Sequence, residues 1–266
     1  MSKTILFMKR NLKEMTRDPI LYIFCAGFPV FMVLMFQIIL NYTGEKTPVF
    51  QVKSLIPGVM MFSYSILMLM SALLISKDKT SAFLKRLYTS PMKSHNYIIG
   101  YFIPFVIVGL AQSVLCIILG YIFGATSGTG FISVPASLLL IIEMLPIMFV
   151  NIFIGMILST ILNEKSAPAI TSIFISLSGV IGGAWMPIDT MGDFETVASA
   201  LPFYPSVYLG RIITNATHTI PDSLGNPIYY SFSDRGWVFL LISLGYLFLF
   251  GALTVVFFNK RLKNDC

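Results

Sequence analysis

Residues 98–123 read IIGYFIPFVIVGLAQSVLCIILGYIF and carry no charged side chain. As an α-helix rising about 1.5 Å per residue, this stretch exceeds the roughly 30 Å thickness of the hydrocarbon core of a bilayer. An uncharged helix of that length is typical of a membrane span. The stretch therefore predicts a transmembrane helix, with enough length to allow tilt or a bend.

The rest of the chain repeats this pattern. The sequence is 56% apolar and 11% charged, whereas ordinary soluble domains are about 25% charged. A chain this apolar cannot hide its surface in a soluble fold, so lipid must be its solvent. The sequence predicts an all-α membrane protein that forms a single domain over residues 1–266, with six transmembrane helices. The predicted spans lie near 20–41, 55–76, 98–123, 135–161, 167–183 and 237–258.

The distribution of Lys and Arg predicts the orientation of these spans. With six spans both termini lie on one side, and 14 of the 18 Lys and Arg residues fall in segments on that side. The other four are Lys46, Lys53, Arg211 and Arg235. The positive-inside tendency therefore places both termini in the cytoplasm, and we expect the plasma membrane of a bacterial cell. The basic charge then suits anionic membrane lipid and not nucleic acid.

The amino-terminal segment, residues 2–18, predicts an amphipathic helix in the cytoplasmic interface. On a helical wheel one face is apolar and carries Ile5, Met8, Leu12 and Met15. Another face is basic and carries Lys9, Arg10, Lys13 and Arg17. Asp18-Pro19 is expected to end this helix and begin the first span. Two interpretations remain open: a simple membrane anchor, or an elbow that docks against another subunit.

The loop between the second and third spans predicts a short helix over residues 81–88, ended by Ser90-Pro91. Its apolar and basic side chains are Phe83, Leu84, Lys85, Arg86, Leu87 and Tyr88. A helix this short is not stable alone in water and needs a surface to lie on. That surface is either the lipid headgroup region or a groove in a soluble partner.

Residues 184–236 predict a broken hairpin on the outer side before the last span. Gly182 and Gly183 end the fifth apolar run, Trp185 suits the membrane interface, and Pro187 and Pro202 break the chain. We expect one short helix that begins near Thr190 or Asp193 and ends near Ala200, and a second over residues 203–213. These pieces either re-enter the outer leaflet, buried in protein, or form a folded cap on the bundle.

Two polar side chains lie within the fourth span. Glu143 is the only carboxylate well inside a predicted span, and Asn151 lies two turns further along the same helix. An ionisable side chain at membrane depth is a candidate functional residue by default, so both are possible substrate-path residues. The alternative is a structural role through hydrogen bonds to a neighbouring helix. Pro29, Pro104 and Pro146 also lie within spans and are expected to bend them locally.

Several catalytic classes lack their motifs in this sequence. There is no G-x-x-x-x-G-K-[ST] phosphate loop and no G-x-S-x-G nucleophile motif. The two histidines, His95 and His218, lie in loops on opposite sides, so no intramembrane metal pair is expected. The sequence predicts neither a catalytic residue nor a bound metal.

Taken together, the chain resembles the membrane subunit of an ABC transporter of the type-2 permease family, of the multidrug or antibiotic type. The features that carry this resemblance are the basic amphipathic start, Pro57-Gly58 at the second span, LKRLYTSP at 84–91, and GGAWMP at 182–187 before a hairpin that ends at Leu201-Pro202. The resemblance covers essentially the whole chain.

The resemblance implies a dimer of permeases, with a second copy or a paralogue, and two ABC ATPase subunits per complex. ATP and Mg would be bound by those partners, and this chain would bind no cofactor of its own. The helix at 81–88 would be the coupling helix, and residues 185–210 would line or gate the exit. The expected function is efflux of a hydrophobic or amphipathic compound such as a drug, antibiotic or antimicrobial peptide, and hence antibiotic resistance.

Two alternative functions remain open. The first is a permease for lipid-linked polysaccharide or lipid. The second is an ion-coupled secondary transporter that uses Glu143 as its proton site; the absence of an obvious inverted repeat between the two halves weighs against it.

Overall fold

The computed structural model describes residues 3–43, 48–80 and 94–265. Within these ranges the regular structure is helical, and the β-structure is a single isolated bridge between Thr217 and Tyr229. Short π-helical turns occur at Ile23–Gly27 and Phe232–Gly236, and short 3₁₀ turns at Pro48–Phe50 and Ile188–Thr190. The α-helices are Lys3–Met15 (α1), Pro19–Tyr22 (α2), Phe28–Thr43 (α3), Val52–Thr80 (α4), Ser94–Thr126 (α5), Val134–Ile161 (α6), Ala167–Ile181 (α7), Asp193–Ala200 (α8), Phe203–Ile213 (α9) and Trp237–Asp265 (α10).

In the described part of the chain, five helical stretches are long and apolar enough to cross a membrane. They coincide with five of the six predicted spans, which confirms a multi-pass, all-α membrane protein. The sixth predicted run, 167–183, is the 15-residue helix α7. At about 1.5 Å per residue it is shorter than the roughly 30 Å hydrocarbon core. The count of six spans therefore stays a prediction.

Helix α4 is the central element of the bundle. In its most apolar window 83% of the residues are buried inside the protein, compared with 17% for the last span. It packs against α3, α5, α6, α7 and α9. The surrounding helices therefore present lipid-facing surface, whereas α4 is enclosed by protein along most of its length.

The close approach of α4 and α6 depends on Gly155. A Cβ atom placed on Gly155 would collide with the Ser71 hydroxyl oxygen and the Met68 carbonyl oxygen of α4. Small residues that let helix backbones approach closely are a common device of helix packing in membranes.

We expect Gly155→Ala to lower the free energy of unfolding by about 2 kcal/mol, because the added methyl group overpacks this contact. Thermal unfolding of the purified protein in detergent measures the effect. Gly245→Ala in α10 is the matched control, since a Cβ there meets no atom within 4 Å. Alanine also favours a helix over glycine, so the control should be neutral or slightly stabilising. Equal destabilisation by both substitutions would contradict this account of the packing.

Three prolines determine where other elements attach to the helices. A proline has no N–H, so the carbonyl four residues before it loses its usual helical partner. For Pro29 that carbonyl belongs to Cys25, in the π-helical turn, and it accepts a hydrogen bond from the Gln112 amide at 3.1 Å. The helix α5 continues through Pro104, and the Gly100 carbonyl accepts from the Asn11 amide at 3.0 Å.

The third case is in α4, which continues through Pro57. The Lys53 carbonyl, four residues earlier, accepts a hydrogen bond from the Thr214 hydroxyl at 2.6 Å. Because lipid offers no water to these carbonyls, each must find a partner within the protein. The prolines therefore join the π-helical turn before α3 to α5, α1 to α5, and Thr214 to α4.

The segment between α7 and α10 contains the two short helices expected from the sequence. The first is α8, Asp193–Ala200, which is preceded by Gly192 without a side-chain cap; Thr190 instead ends a 3₁₀ turn. The second is α9, Phe203–Ile213, and most of its residues are buried. A cluster around Ile188, Tyr204, Tyr208 and Phe239 packs this segment against α10. We call residues 182–230 the outer segment, after the side of the membrane that the distribution of Lys and Arg predicts for them.

Candidate functional site

Two polar anchors at opposite ends of α4 are the main candidate functional features. At the carboxyl end, Arg10 of α1 forms a two-pronged ion pair with Asp78: its Nη1 donates to Oδ2 at 2.6 Å and its Nη2 to Oδ1 at 2.8 Å. The Tyr101 hydroxyl donates to the same carboxylate at 2.8 Å. Asp78 is only 1% exposed. Such bidentate, charge-assisted pairs are strong and geometrically specific.

Further contacts extend this anchor. Arg10 Nη2 also lies 2.8 Å from Glu14 Oε2, and the other carboxylate oxygen of Glu14, Oε1, pairs with Lys77 Nζ at 3.3 Å. The hydrogen bond to Asp78, opposed in part by burial, raises the pKa of the Arg10 guanidinium above its ordinary value. Arg10 therefore stays charged at any physiological pH.

The face of α1 that contacts the bundle differs from the apolar face expected from the helical wheel. Phe7, Asn11 and Met15 are the buried residues, whereas Ile5 is exposed. The Phe7 ring packs edge-on against Tyr101, with ring centroids 4.9 Å apart. A helical wheel identifies a face by its hydrophobicity. The observed contact face instead includes the polar Asn11, because its amide donates to the Gly100 carbonyl that Pro104 leaves without a helical partner. Met15 is the one member of the expected face that is fully buried.

The basic residues of the predicted interface helix have different environments. Arg10 lies in the anchor just described, whereas Lys9, Lys13 and Arg17 have exposed side chains. The predicted coupling residues Phe83, Leu84, Lys85, Arg86, Leu87 and Tyr88 lie outside the described residues. Asp78 lies two residues before Thr80, the last residue of α4. The predicted coupling segment, 81–88, follows Thr80 in the sequence.

The second anchor joins the outer segment to the amino end of α4. Arg211 of α9 is fully buried. Its Nη2 donates to the Gly183 carbonyl at 2.7 Å and its Nε to the Ser54 carbonyl at 3.2 Å. One turn further, Thr214 reaches the Lys53 carbonyl. A single helix, α9, therefore holds both the start of α4 and the turn after α7.

Gly182 and Gly183 form the turn that this anchor fixes. Gly183 has a φ of +62°, a conformation that favours glycine. The backbone of Ala184 passes so close to α4 that a Cβ on Gly58 would lie 2.6 Å from the Ala184 carbonyl oxygen. The family-like Gly-Gly-Ala sequence thus permits direct contact between the backbone of this turn and α4.

The other predicted gate residues lie around the same turn. Trp185 stacks near Phe36 of α3 and packs edge-on against Phe62 of α4, with centroids 6.3 Å and 4.9 Å away. Trp185 therefore packs against aromatic rings of the protein. Its position at the membrane interface stays a prediction. Pro187 is partly buried and Pro202 is buried just before α9.

Behind the turn, Asp189 organises the loop that follows α9. Its Oδ2 accepts a hydrogen bond from the Thr219 backbone at 2.7 Å and lies 3.3 Å from His218 Nδ1. The His218 ring stacks on Tyr230 at 3.8 Å, and Arg211 donates to the Tyr230 hydroxyl at 3.4 Å. Burial alone would raise the pKa of Asp189, but hydrogen bonds from His218 and Thr219 and the Arg211 charge outweigh it and lower that pKa.

This lowered pKa predicts an acid-sensitive outer segment. A carboxyl whose pKa is lower in the folded than in the unfolded state stabilises the fold above the unfolded pKa, about 3.9. That stabilisation is lost as the pH falls through the folded pKa. We expect the melting temperature to fall between pH 5 and pH 3, and we expect Asp189→Asn to flatten this fall. The exposed Asp193 provides the control, because Asp193→Asn should leave the profile unchanged. An identical profile for all three proteins would exclude this role for Asp189.

Glu143 and Asn151 both lie on α6, and the described contacts do not bring them together. Both carboxylate oxygens of Glu143 are buried without a hydrogen-bond partner among the described residues, although the stem of the side chain is partly exposed. Asn151 is fully buried and donates to the Ile147 carbonyl of its own helix at 2.9 Å. Their roles in a substrate path stay predictions.

Of the residues that form the two anchors, the sequence analysis names Arg10 and Gly183 as candidate site residues, but not Asp78, Arg211 or Thr214. Asp78 stands between two lysines at the end of α4, and it was not recognised as the partner of an amino-terminal arginine. Arg211 was counted only as an outer-side charge, although a lone arginine among the apolar residues of 203–213 was a usable signal. An intramembrane or buried arginine requires partners, and the sequence does not say which carbonyls supply them.

The comparison with known families agrees with this architecture. The model of the family described as ABC-2 type transporter matches residues 2–214, which include α1, both anchors and the Gly-Gly turn. A search of curated protein sequences finds no match.

Proposed function

Because this chain belongs to the ABC-2 type transporter family, and is thus a permease subunit of an ABC transporter, we propose that it exports a hydrophobic or amphipathic compound. A drug, an antibiotic and an antimicrobial peptide are substrates of this class. The energy would come from separate ABC ATPase subunits, two per complex, that bind ATP and Mg. The permease itself would act as a dimer with a second copy or a paralogue.

The observation that carries this proposal is the placement of the two anchors on one helix. The 29 residues of α4 form a continuous helix about 43 Å long at about 1.5 Å per residue. One end is joined to α1 by Arg10 and Asp78, and the other is joined to the outer segment by Arg211 and Thr214. A displacement applied next to Asp78 is therefore transmitted to the Gly-Gly turn.

In this mechanism the segment 81–88 acts as the coupling helix. It directly follows α4, so a push from an ATPase on that segment would act on the anchored end of the helix. The outer segment, which includes Gly182, Gly183, Trp185, Pro187 and Pro202, would then change its contacts with α4 and open the exit. This orientation requires both termini in the cytoplasm, and α7 would complete a sixth, short crossing with the turn that follows it.

The substrate class rests on composition. The chain has 23 Phe and 15 Met residues, whose rings and flexible thioethers adapt to apolar ligands of varied shape. A lipid-linked polysaccharide or lipid substrate is the alternative within the same family. Membership of the family favours ATP-driven transport over ion coupling through Glu143.

A pull-down in mild detergent from native membranes tests the proposal. We expect an ATPase with a phosphate loop to co-purify, and a second permease band would indicate a heterodimer. The double variant Arg86→Glu/Leu87→Asp should lose the ATPase and the export of the compound. Lys165→Glu, in the exposed loop between α6 and α7, is a charge-reversal control and should retain both. Recovery of the chain alone after crosslinking, or normal export by the double variant, would overturn the proposal.

A further inference from the structure

A cleft of about 860 Å³ lies beside α1, next to the ion-pair network around Asp78. Helix α1 and the residues just after it form one wall, α4 forms the opposite wall, and α5 contributes Phe105. Ligand pockets for small molecules typically measure about 300 to 1,000 Å³. The cleft is therefore large enough to hold a headgroup and part of an acyl chain.

The inner part of the cleft is apolar. The apolar residues along it are Leu21, Met70, Leu73, Leu74 and Phe105. Leu73 and Leu74 are partly exposed, and the other three are buried beneath the surface. From Lys77 at the rim to Met70 inside, α4 advances seven residues, or about 10 Å at about 1.5 Å per residue. Between these two residues, α4 lines the cleft with the apolar side chains of Leu73 and Leu74.

The rim of the cleft is charged. Arg10, Glu14 and Lys77 belong to the ion-pair network around Asp78, and Asp18 and Glu164 each have an interaction with a neighbouring group. Lys13 and Arg17 also line the cleft, and neither forms an ion pair with the described residues. The rim thus offers two available cations above an apolar floor.

We propose that this cleft is a binding site for an anionic amphiphile taken from the membrane leaflet on the side of α1. Its phosphate or other anionic headgroup lies between Lys13 and Arg17, and its chain lies along Leu73 and Leu74. Arginine and lysine are well suited to hold a phosphate at a membrane surface. Binding needs neither nucleotide nor an ATPase subunit, so this site is independent of the transport function proposed above.

Native mass spectrometry of the full chain released from detergent tests this site. The probes are phosphatidylglycerol and phosphatidylcholine with identical acyl chains, together with inorganic phosphate. We expect phosphatidylglycerol to bind at least tenfold more tightly than phosphatidylcholine, and we expect phosphate alone not to be retained. Lys13→Gln/Arg17→Gln should remove the preference for phosphatidylglycerol.

Two further variants distinguish the cleft from general surface charge. Lys9→Gln/Lys260→Gln removes the same charge from exposed positions that do not line the cleft, and it should keep the preference. Leu74→Trp fills the apolar floor and should weaken phosphatidylglycerol binding at least tenfold with both cations in place. Equal loss in the two charge variants would show nonspecific attraction and overturn the proposal. Unchanged binding in Lys13→Gln/Arg17→Gln, or retention of phosphate alone, would overturn it as well.

Discussion

Replacement of Arg211 by alanine is expected to lower the free energy of unfolding by roughly 3 to 5 kcal/mol. The guanidinium is always charged and here is fully buried, with its donors directed at the Gly183 and Ser54 carbonyls. Alanine would leave both carbonyls without their donor and would leave a cavity beside Tyr230. For a chain of this length, the melting temperature should fall by about 10 °C.

Three comparison variants identify the cause of that loss. Arg211→Met keeps much of the side-chain volume but no donor, so it should be nearly as destabilising as alanine. Arg211→Lys keeps a charged donor that can reach one of the two carbonyls. Its free energy of unfolding should therefore lie between those of Arg211→Ala and the native protein. Arg235→Ala removes an arginine whose side chain is 54% exposed in its ion pair with Glu195, and such exposed pairs contribute less than about 1 kcal/mol. A native-like Arg211→Met variant would show that packing, and not hydrogen bonding, explains the role of Arg211.

Asp78→Ala is expected to release α1 from the bundle. Asp78 accepts two hydrogen bonds from Arg10 and one from Tyr101. Glu14, the other carboxylate beside Arg10, lies on α1 itself and cannot join α1 to the bundle through Arg10. The Arg10 side chain is 36% exposed and can be solvated after release. Amide hydrogen exchange within residues 3–15 should accelerate at least tenfold. Under the coupling mechanism proposed above, export should also fall at least tenfold.

Lys77→Ala is the neighbouring control, because its ion pair with Glu14 involves a lysine side chain that is 59% exposed. It should change exchange in α1 by less than threefold. The exchanged pair Arg10→Asp/Asp78→Arg should restore part of the protection, since the two charges can pair again. Slow exchange in Asp78→Ala would mean that Phe7 and Asn11 hold α1 without the ion pair.

The spans were predictable from sequence because the hydrocarbon core imposes a minimum length of apolar helix. The predicted run 135–161 agrees with the observed helix Val134–Ile161 to within one residue at its start. The predicted pieces ending at Ala200 and covering 203–213 also coincide with α8 and α9. In these cases a proline or a change from apolar to polar residues marks each boundary locally.

The anchors were not predictable, because each depends on residues far apart in the chain. Arg211 and Ser54 are separated by 157 positions, and Arg10 and Asp78 by 68. Nothing in a local pattern distinguishes a buried arginine from one that faces water on the outer side. The docked face of α1 was misjudged for a related reason: its key residue is the polar Asn11, which a hydrophobicity pattern places outside the contact.

The carbonyls freed by prolines also have consequences for biosynthesis. Asn11 is already made when the Gly100 carbonyl emerges, but the Cys25 carbonyl is made 87 residues before its donor Gln112. The Lys53 carbonyl has a longer interval, 161 residues, before Thr214 is synthesised. During translation the nascent α3 and α4 therefore enter the membrane with unpaired backbone groups, which favours shielding by the insertion machinery until the later segments arrive. A chain that stops after α7 would lack Thr214 and would leave the Lys53 carbonyl without this donor.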